Sequence, residues 1–202
     1  MDNIELNLAI YSDNIKSLAL IFYDSSEIRK KRLQDLTDKI ETSEWTEEEF
    51  QKFGLYDMHF DWLLIQSLFI SAFSFFENFM KSIAKMIEKQ TDTKIKLEDI
   101  RGDGNLDTYR KYIFLVGQIK DANGNRKEWQ TIKEFKTIRN ALVHDNGLIT
   151  KKISKINEHN LYFGPSKKHI RIRNISFLED FVKTSIDYMG AIATDTRQKI
   201  KT

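Results

Sequence analysis

Ile4, Leu8, Tyr11, Ile15, Leu18 and Phe22 recur at alternating steps of four and three, the spacing that stacks apolar side chains on one face of an α-helix. Leu33, Leu36 and Ile40 resume the stripe after Asp24, Ser25 and Ser26 weaken it. One long helix is expected from about 4 to 41, with Ser25 as the place for a kink. Thr46 and Glu49 stand in capping-box register, with Glu47 and Glu48 suited to the positive end of a helix, so a second helix begins at 46. Gly54 is the expected break before Leu55 to Glu88, which is apolar around most of its circumference and reads as the central helix. A line of small polar residues on it, Ser67, Ser71, Ser74, Asn78 and Ser82, would let another helix approach closely.

Lys89 to Asn105 is a polar connection with a short turn around Leu97 to Ile100. Leu106 to Lys120 reads as a third main helix, with Tyr109, Tyr112, Ile113, Val116 and Ile119 as its apolar face. The turn DANGN, Asp121 to Asn125, predicts that this helix and the next are antiparallel neighbours. From Thr131 to Gly147, Phe135, Ile138, Ala141 and Leu142 form one core face, and Asn146 with Gly147 supplies the stop. Alternation over His169, Ile170, Arg171, Ile172 and Arg173 predicts a short strand, with Leu161 to Phe163 as its hairpin partner. Asn174 or Ser176 starts a final helix, with Phe177, Phe181, Ile186 and Met189 turned inward.

The pattern is all-α, a bundle of about five helices with a small β-hairpin towards the C-terminal side. One domain over 1–202 is expected: a long N-terminal helix over 1–45, a bundle core over 46–148, and a basic hairpin with the final helix over 149–202. Hydrophobic residues make up 41% of the chain, fourteen Phe among them, enough for a sizeable core. One Pro and eight Gly leave little room for a turn-rich β fold.

No cysteine is present, which excludes disulfides, thiolate metal sites and a cysteine nucleophile, and suits a cytoplasmic setting. Met1 leads into charged and polar residues without the look of a signal peptide. The longest uncharged stretch, Trp62 to Phe76, contains Gln66 and three Ser and is shorter than a membrane span, so no membrane association is expected. The four His show no metal-ligand spacing; His159 and His169 lie in polar loop or strand, and no phosphate loop or nucleophile elbow occurs. Neither metal nor cofactor is expected.

The net charge of +2 conceals an asymmetry. Residues 1–60 hold thirteen acids against seven Lys and Arg, whereas 126–173 hold twelve Lys and Arg against four acids. The RKKR run, Arg29 to Arg32, is either a solvated face or a nucleic-acid patch. In the basic half, Lys136, Lys151, Lys152, Lys167, Lys168, Arg171 and Arg173 could track a phosphate backbone, with Tyr162 or Phe163 free to stack a base. Equally, alternating Ile and Arg makes an edge strand with a wet face.

The most suggestive chemistry lies in RNALVH, Arg139 to His144, at the end of the fourth main helix. Asn140 and His144 are four residues apart and share a face, and the last turn of a helix is a useful place for a proton-exchanging imidazole. This motif, with FSFFENF (Phe73 to Phe79) on the preceding apolar helix, the KLEDIRGDG connection, and a basic segment and final helix after it, resembles the HEPN superfamily. The resemblance covers roughly residues 55–200. It implies an RNxxxH-type, metal-independent endoribonuclease acting as a homodimer, with His144 handling the proton, Arg139 neutralising the phosphate and Asn140 orienting either. It further implies a toxin or an antiphage or stress effector, held by a cognate antitoxin or linked to a defence-system protein. Glu77 would support the site by pairing with Arg139, or else with Lys81 on its own helix. On one helix the Cβ directions of Arg139 and His144 differ by about 140°, so their meeting is expected across a two-fold axis rather than within one copy. The alternative is a non-catalytic helical module that binds RNA or a protein partner.

Overall fold

The computed structural model describes residues 3–40, 45–156, 160–166 and 168–200. Within them the order is α1 (Asn3–Ile40), α2 (Glu47–Gly54), a π-helical turn (Leu55–His59), α3 (Phe60–Gln90), α4 (Asn105–Leu115), α5 (Lys127–His144), β1 (Leu161–Phe163), β2 (Ile170–Ile172) and α6 (Ser176–Ile200). The fold is an all-α bundle with a two-stranded antiparallel hairpin between α5 and α6.

On α1, Ile4, Tyr11 and Leu18 are buried at heptad intervals, and Leu8, Ile15 and Phe22 pack beside them, so the stripe seats within the chain's own bundle. Its neighbours are α3 and α6; Tyr11 Oη lies 2.7 Å from Ser185 Oγ on α6. The helix continues through Ser25. Beyond Leu18 no described α1 residue is buried, and α2 buries none either. The capping box at Thr46 and Glu49 is present.

The α-helical pattern ends at Gly54, as expected, but without a change to non-helical backbone. Gly54 keeps right-handed helical angles, φ −58° and ψ −39°, and the chain widens into the π turn. Such a turn misaligns carbonyls, and here Arg29 takes them: Nε donates to Tyr56 O at 2.7 Å and Nη2 to Asp57 O at 3.4 Å, while Nη1 pairs with Asp61 at 3.1 Å. The first residue of the RKKR run is thus a structural clamp.

The path Glu47–Gln90 is long and apolar enough to pass for a membrane span by composition. From Ile65 onward its apolar face lies in the bundle, while Phe50, Leu55, Met58 and Leu63 are exposed. Phe69, Phe73 and Phe76 of α3 meet Phe135 of α5 and Phe177 and Phe181 of α6, with Phe69 and Phe177 edge-to-face at 4.9 Å. Ser67, Ser71 and Ser74 donate their hydroxyls to carbonyls one turn back, and Ser67 and Asn78 are exposed.

Helix α4 is shorter than expected. Gln118 adopts φ 52°, and Ile119 N donates to Ile113 O at 3.2 Å, closing the end. Ile119 is still buried, but from a loop. Ile119 and Ala122 carry the chain across the bundle, so α4 packs on α3 whereas α5 packs on α6 and α3. The two helices are therefore not the packed pair that the turn suggested. Arg110 of α4 reaches α5 by lying over the Trp129 ring, 5.2 Å from its centroid.

Leu161, Ile170 and Ile172 of the hairpin point into the core, and Tyr162 faces outward opposite Arg171. On α6, Phe177, Phe181 and Met189 are buried, but Ile186 is exposed. Ser185 and Tyr188 take the inward positions on that turn.

Candidate active site at the end of α5

Buried Trp129, Ile132, Phe135, Ile138 and Ala141 fix the rotation of α5 in the bundle. Its end is then pinned from outside. Asn146 and Gly147 adopt φ 51° and 81°, and Gly147 N donates back to Ala141 O at 2.7 Å. Gly147 O accepts from Ile170 N at 2.9 Å, and Ile149 N donates to Lys168 O at 2.7 Å, so β2 holds the helix end. A Cβ at position 147 would stand 2.8 Å from Ile170 O, which makes glycine a requirement of the contact as well as of the backbone angle.

This anchored end presents Arg139, Asn140 and His144 together. Arg139 Nη1 donates to Asn140 Oδ1 at 3.1 Å and lies 3.1 Å from His144 Nε2. The expectation that these groups meet only between copies is corrected here. A Cβ angle of about 140° separates their starting points, but the long Arg139 side chain wraps the last turn and reaches the imidazole within one chain. A guanidinium only donates, so His144 Nε2 is the acceptor in this contact.

Arg139 has no carboxylate within ion-pair distance among the described residues, and its Nε is buried without an acceptor. Glu77 does not reach it. That carboxylate faces α4, where its charge and burial raise the Tyr109 phenol above its ordinary value, burial being the larger cause. Nor does Glu77 form an ion pair with Lys81.

Beside Asn140 runs a groove of about 560 Å³ lined by Lys133, Lys136, Lys151, Lys152 and Lys155, with Asp103, Glu134 and Asp145 as its acids. Two of those acids are engaged. Glu134 accepts from the backbone amides of Ser154, Lys155 and Ile156, at 2.6–3.2 Å, and so staples the basic loop to α5. Asp103 pairs with Lys136, which therefore helps to hold the α3–α4 connection. Lys133, Lys151, Lys152 and Lys155 have no ion-pair partner among the described residues. A second groove continues from Lys151 and Lys152 to Lys168.

The remaining basic positions divide. Arg171 lies over the Trp62 ring, 4.5 Å from its centroid, so it belongs to the α3 side of the hairpin. Arg173 is exposed just after β2, and Lys167 and His159 lie outside the described residues. Tyr162 is 55% exposed, whereas Phe163 packs against the core. No three His, Asp or Glu side chains gather as a metal would require among the described residues.

The Glu134 staple and the Arg110–Trp129 contact had no signal in sequence beyond the presence of charged residues. Compared with family models, curated proteins and solved structures, the chain matches none.

Proposed function

We propose that the chain is a metal-independent endoribonuclease of HEPN type, working through Arg139, Asn140 and His144. The observation that carries this is a single one: Arg139 is held between the Asn140 amide and the His144 imidazole, with no carboxylate within ion-pair distance among the described residues, beside the lysine groove that Asn140 lines. An arginine so placed keeps its charge for an anion from outside.

In this reading the RNA backbone lies along Lys133, Lys151 and Lys152, and a phosphate replaces His144 at the Arg139 guanidinium. Nε2 is then free to take the proton of the adjacent 2′-hydroxyl. The O2′–P bond forms and the P–O5′ bond breaks, giving a 2′,3′-cyclic phosphate, while Arg139 offsets the charge on the phosphoryl oxygens. Asn140 keeps Arg139 aimed. The departing 5′-oxygen also needs a proton, which the second imidazole of a two-fold dimer would supply. The expected homodimer thus serves to add an acid, since each copy already joins its own Arg139 and His144. A toxin or defence role, with an antitoxin or defence-system protein as a further partner, comes with the HEPN resemblance, and the lack of cysteine suits a cytoplasmic setting.

The 3.1 Å contact that occupies Nε2 favours a second reading, a module that binds RNA without cutting it. Incubation with total RNA in EDTA, beside the His144→Ala variant, separates the two. Cyclic-phosphate products from the wild type alone support the nuclease; salt-dependent binding without product from either protein rejects it.

A further inference from the structure

A third concavity borders the end of α5. It encloses about 590 Å³ between Trp62 and Gln66 of α3, Leu142 and Asn146 at the end of α5, and Tyr162 and Arg171 of the hairpin. No Asp or Glu lines it. The end of α5 contributes Asn140 and Ala141 to the lysine groove and Leu142 to this pocket.

The contents of this pocket are unusual for a surface cleft. The Arg171 guanidinium is held over the half-buried Trp62 indole at 4.5 Å. Tyr162 stands opposite Arg171 in the strand register, 55% exposed, and its side chain makes no ring contact or hydrogen bond among the described residues. The side-chain amides of Gln66 and Asn146 likewise have no partner among the described residues. Asn146 is fixed by its own φ of 51° and by the turn that follows it. An aromatic face, two free amides and a cation, with no acid opposing them, match a flat heterocycle with donors and acceptors on its edge and a phosphate attached.

We infer that this pocket binds an unpaired nucleobase adjoining the phosphate held at Arg139, stacked on Tyr162 and met at its edge by Gln66 and Asn146. The inference rests on the ribonuclease reading for the presence of RNA, and it makes the substrate single-stranded. A base inside a duplex has its faces covered and its edge paired, so it cannot enter.

Nucleoside 3′-monophosphates and ribose 3-phosphate, which lacks a base, are titrated separately into the protein while the Trp62 indole signal is followed by NMR. The mononucleotides should shift that signal and ribose phosphate should not. Tyr162→Ala and Gln66→Ala should each weaken the mononucleotide on the order of tenfold, and Tyr162→Phe should bind as the wild type does. Equal responses to the two ligands, or full affinity in folded Tyr162→Ala, overturn the pocket. A shifted Trp62 signal in a protein that leaves RNA uncut keeps the pocket and rejects the nuclease. Cleavage of single and double strands at one rate, indifferent to Tyr162→Ala, does the reverse.

Discussion

The arginines that flank the two ends of α5 are treated in opposite ways. Near its start, Arg110 lies across Trp129, donates to Asp107 at 2.9 Å and to Ala122 O at 3.1 Å, and is almost wholly buried. Arg126 beside it is shared between Asp121 and Glu128. Near the end of α5, Arg139 has no acid within ion-pair distance among the described residues, and its Nε is left without an acceptor there. A charge that serves the fold is neutralised by the fold; one left without a counter-ion costs stability and is retained for something that arrives later. The same contrast extends to the neighbours. Lys136 is tied to Asp103, whereas Lys133, Lys151 and Lys152 stand unpaired along the groove.

Variants can break this comparison at either end. The largest expected effect is on chemistry: His144→Ala should lower RNA cleavage by about 10²–10⁴-fold and Arg139→Ala by about 10²–10³-fold. Both should melt near the wild-type temperature. Arg110→Ala should do the opposite, lowering unfolding free energy by roughly 2–4 kcal/mol in denaturant while the folded fraction cleaves at the normal rate. If Arg110→Ala proves neutral, or Arg139→Ala unfolds the protein, the division of labour is wrong.

Gly147→Ala comes next. Its φ of 81° and the 2.8 Å approach to Ile170 O predict a cost of about 1–3 kcal/mol. Because the strain falls on the turn after His144, cleavage should fall further than RNA affinity, measured side by side.

These ends were unequally legible in the sequence. The steps of four and three in α1 gave its buried face, and Asn146 with Gly147 marked the stop of α5, because both are local patterns with one physical cause. Gly54 marked the end of α2, but not that it would keep helical angles and pass into a π turn. Ile119 misled because its apolar character is used from a loop, after Gln118 ends α4. The Arg139–His144 contact escaped a helical wheel that follows Cβ directions and ignores the reach of a guanidinium. Glu134 could not have been assigned to the amides of 154–156 from spacing alone, for that contact spans twenty residues.

Smaller effects sharpen the contrast. Lys151→Ala combined with Lys152→Ala should weaken RNA binding and reduce the slope of log affinity against log salt by about 2, with no change in melting temperature. At the other end, the Tyr188 hydroxyl is fully buried without a partner, and burial pushes its phenol well above the ordinary value. With the folded value raised, its contribution is intact below about pH 10 and is lost as pH rises beyond that. Tyr188→Phe should therefore be neutral or slightly stabilising at pH 7 and should reduce the fall in melting temperature above pH 10.

In the proposed function Arg139 is free to take an RNA phosphate and Arg110 is not. The most direct measurement is the Nε–H resonance of each arginine, assigned by substitution, during titration with an RNA oligomer blocked by 2′-O-methylation. The account predicts that Arg139 Nε–H shifts in a saturable, salt-sensitive manner and that Arg110 Nε–H stays in place. RNA that binds while the Arg139 resonance remains where it was would contradict it.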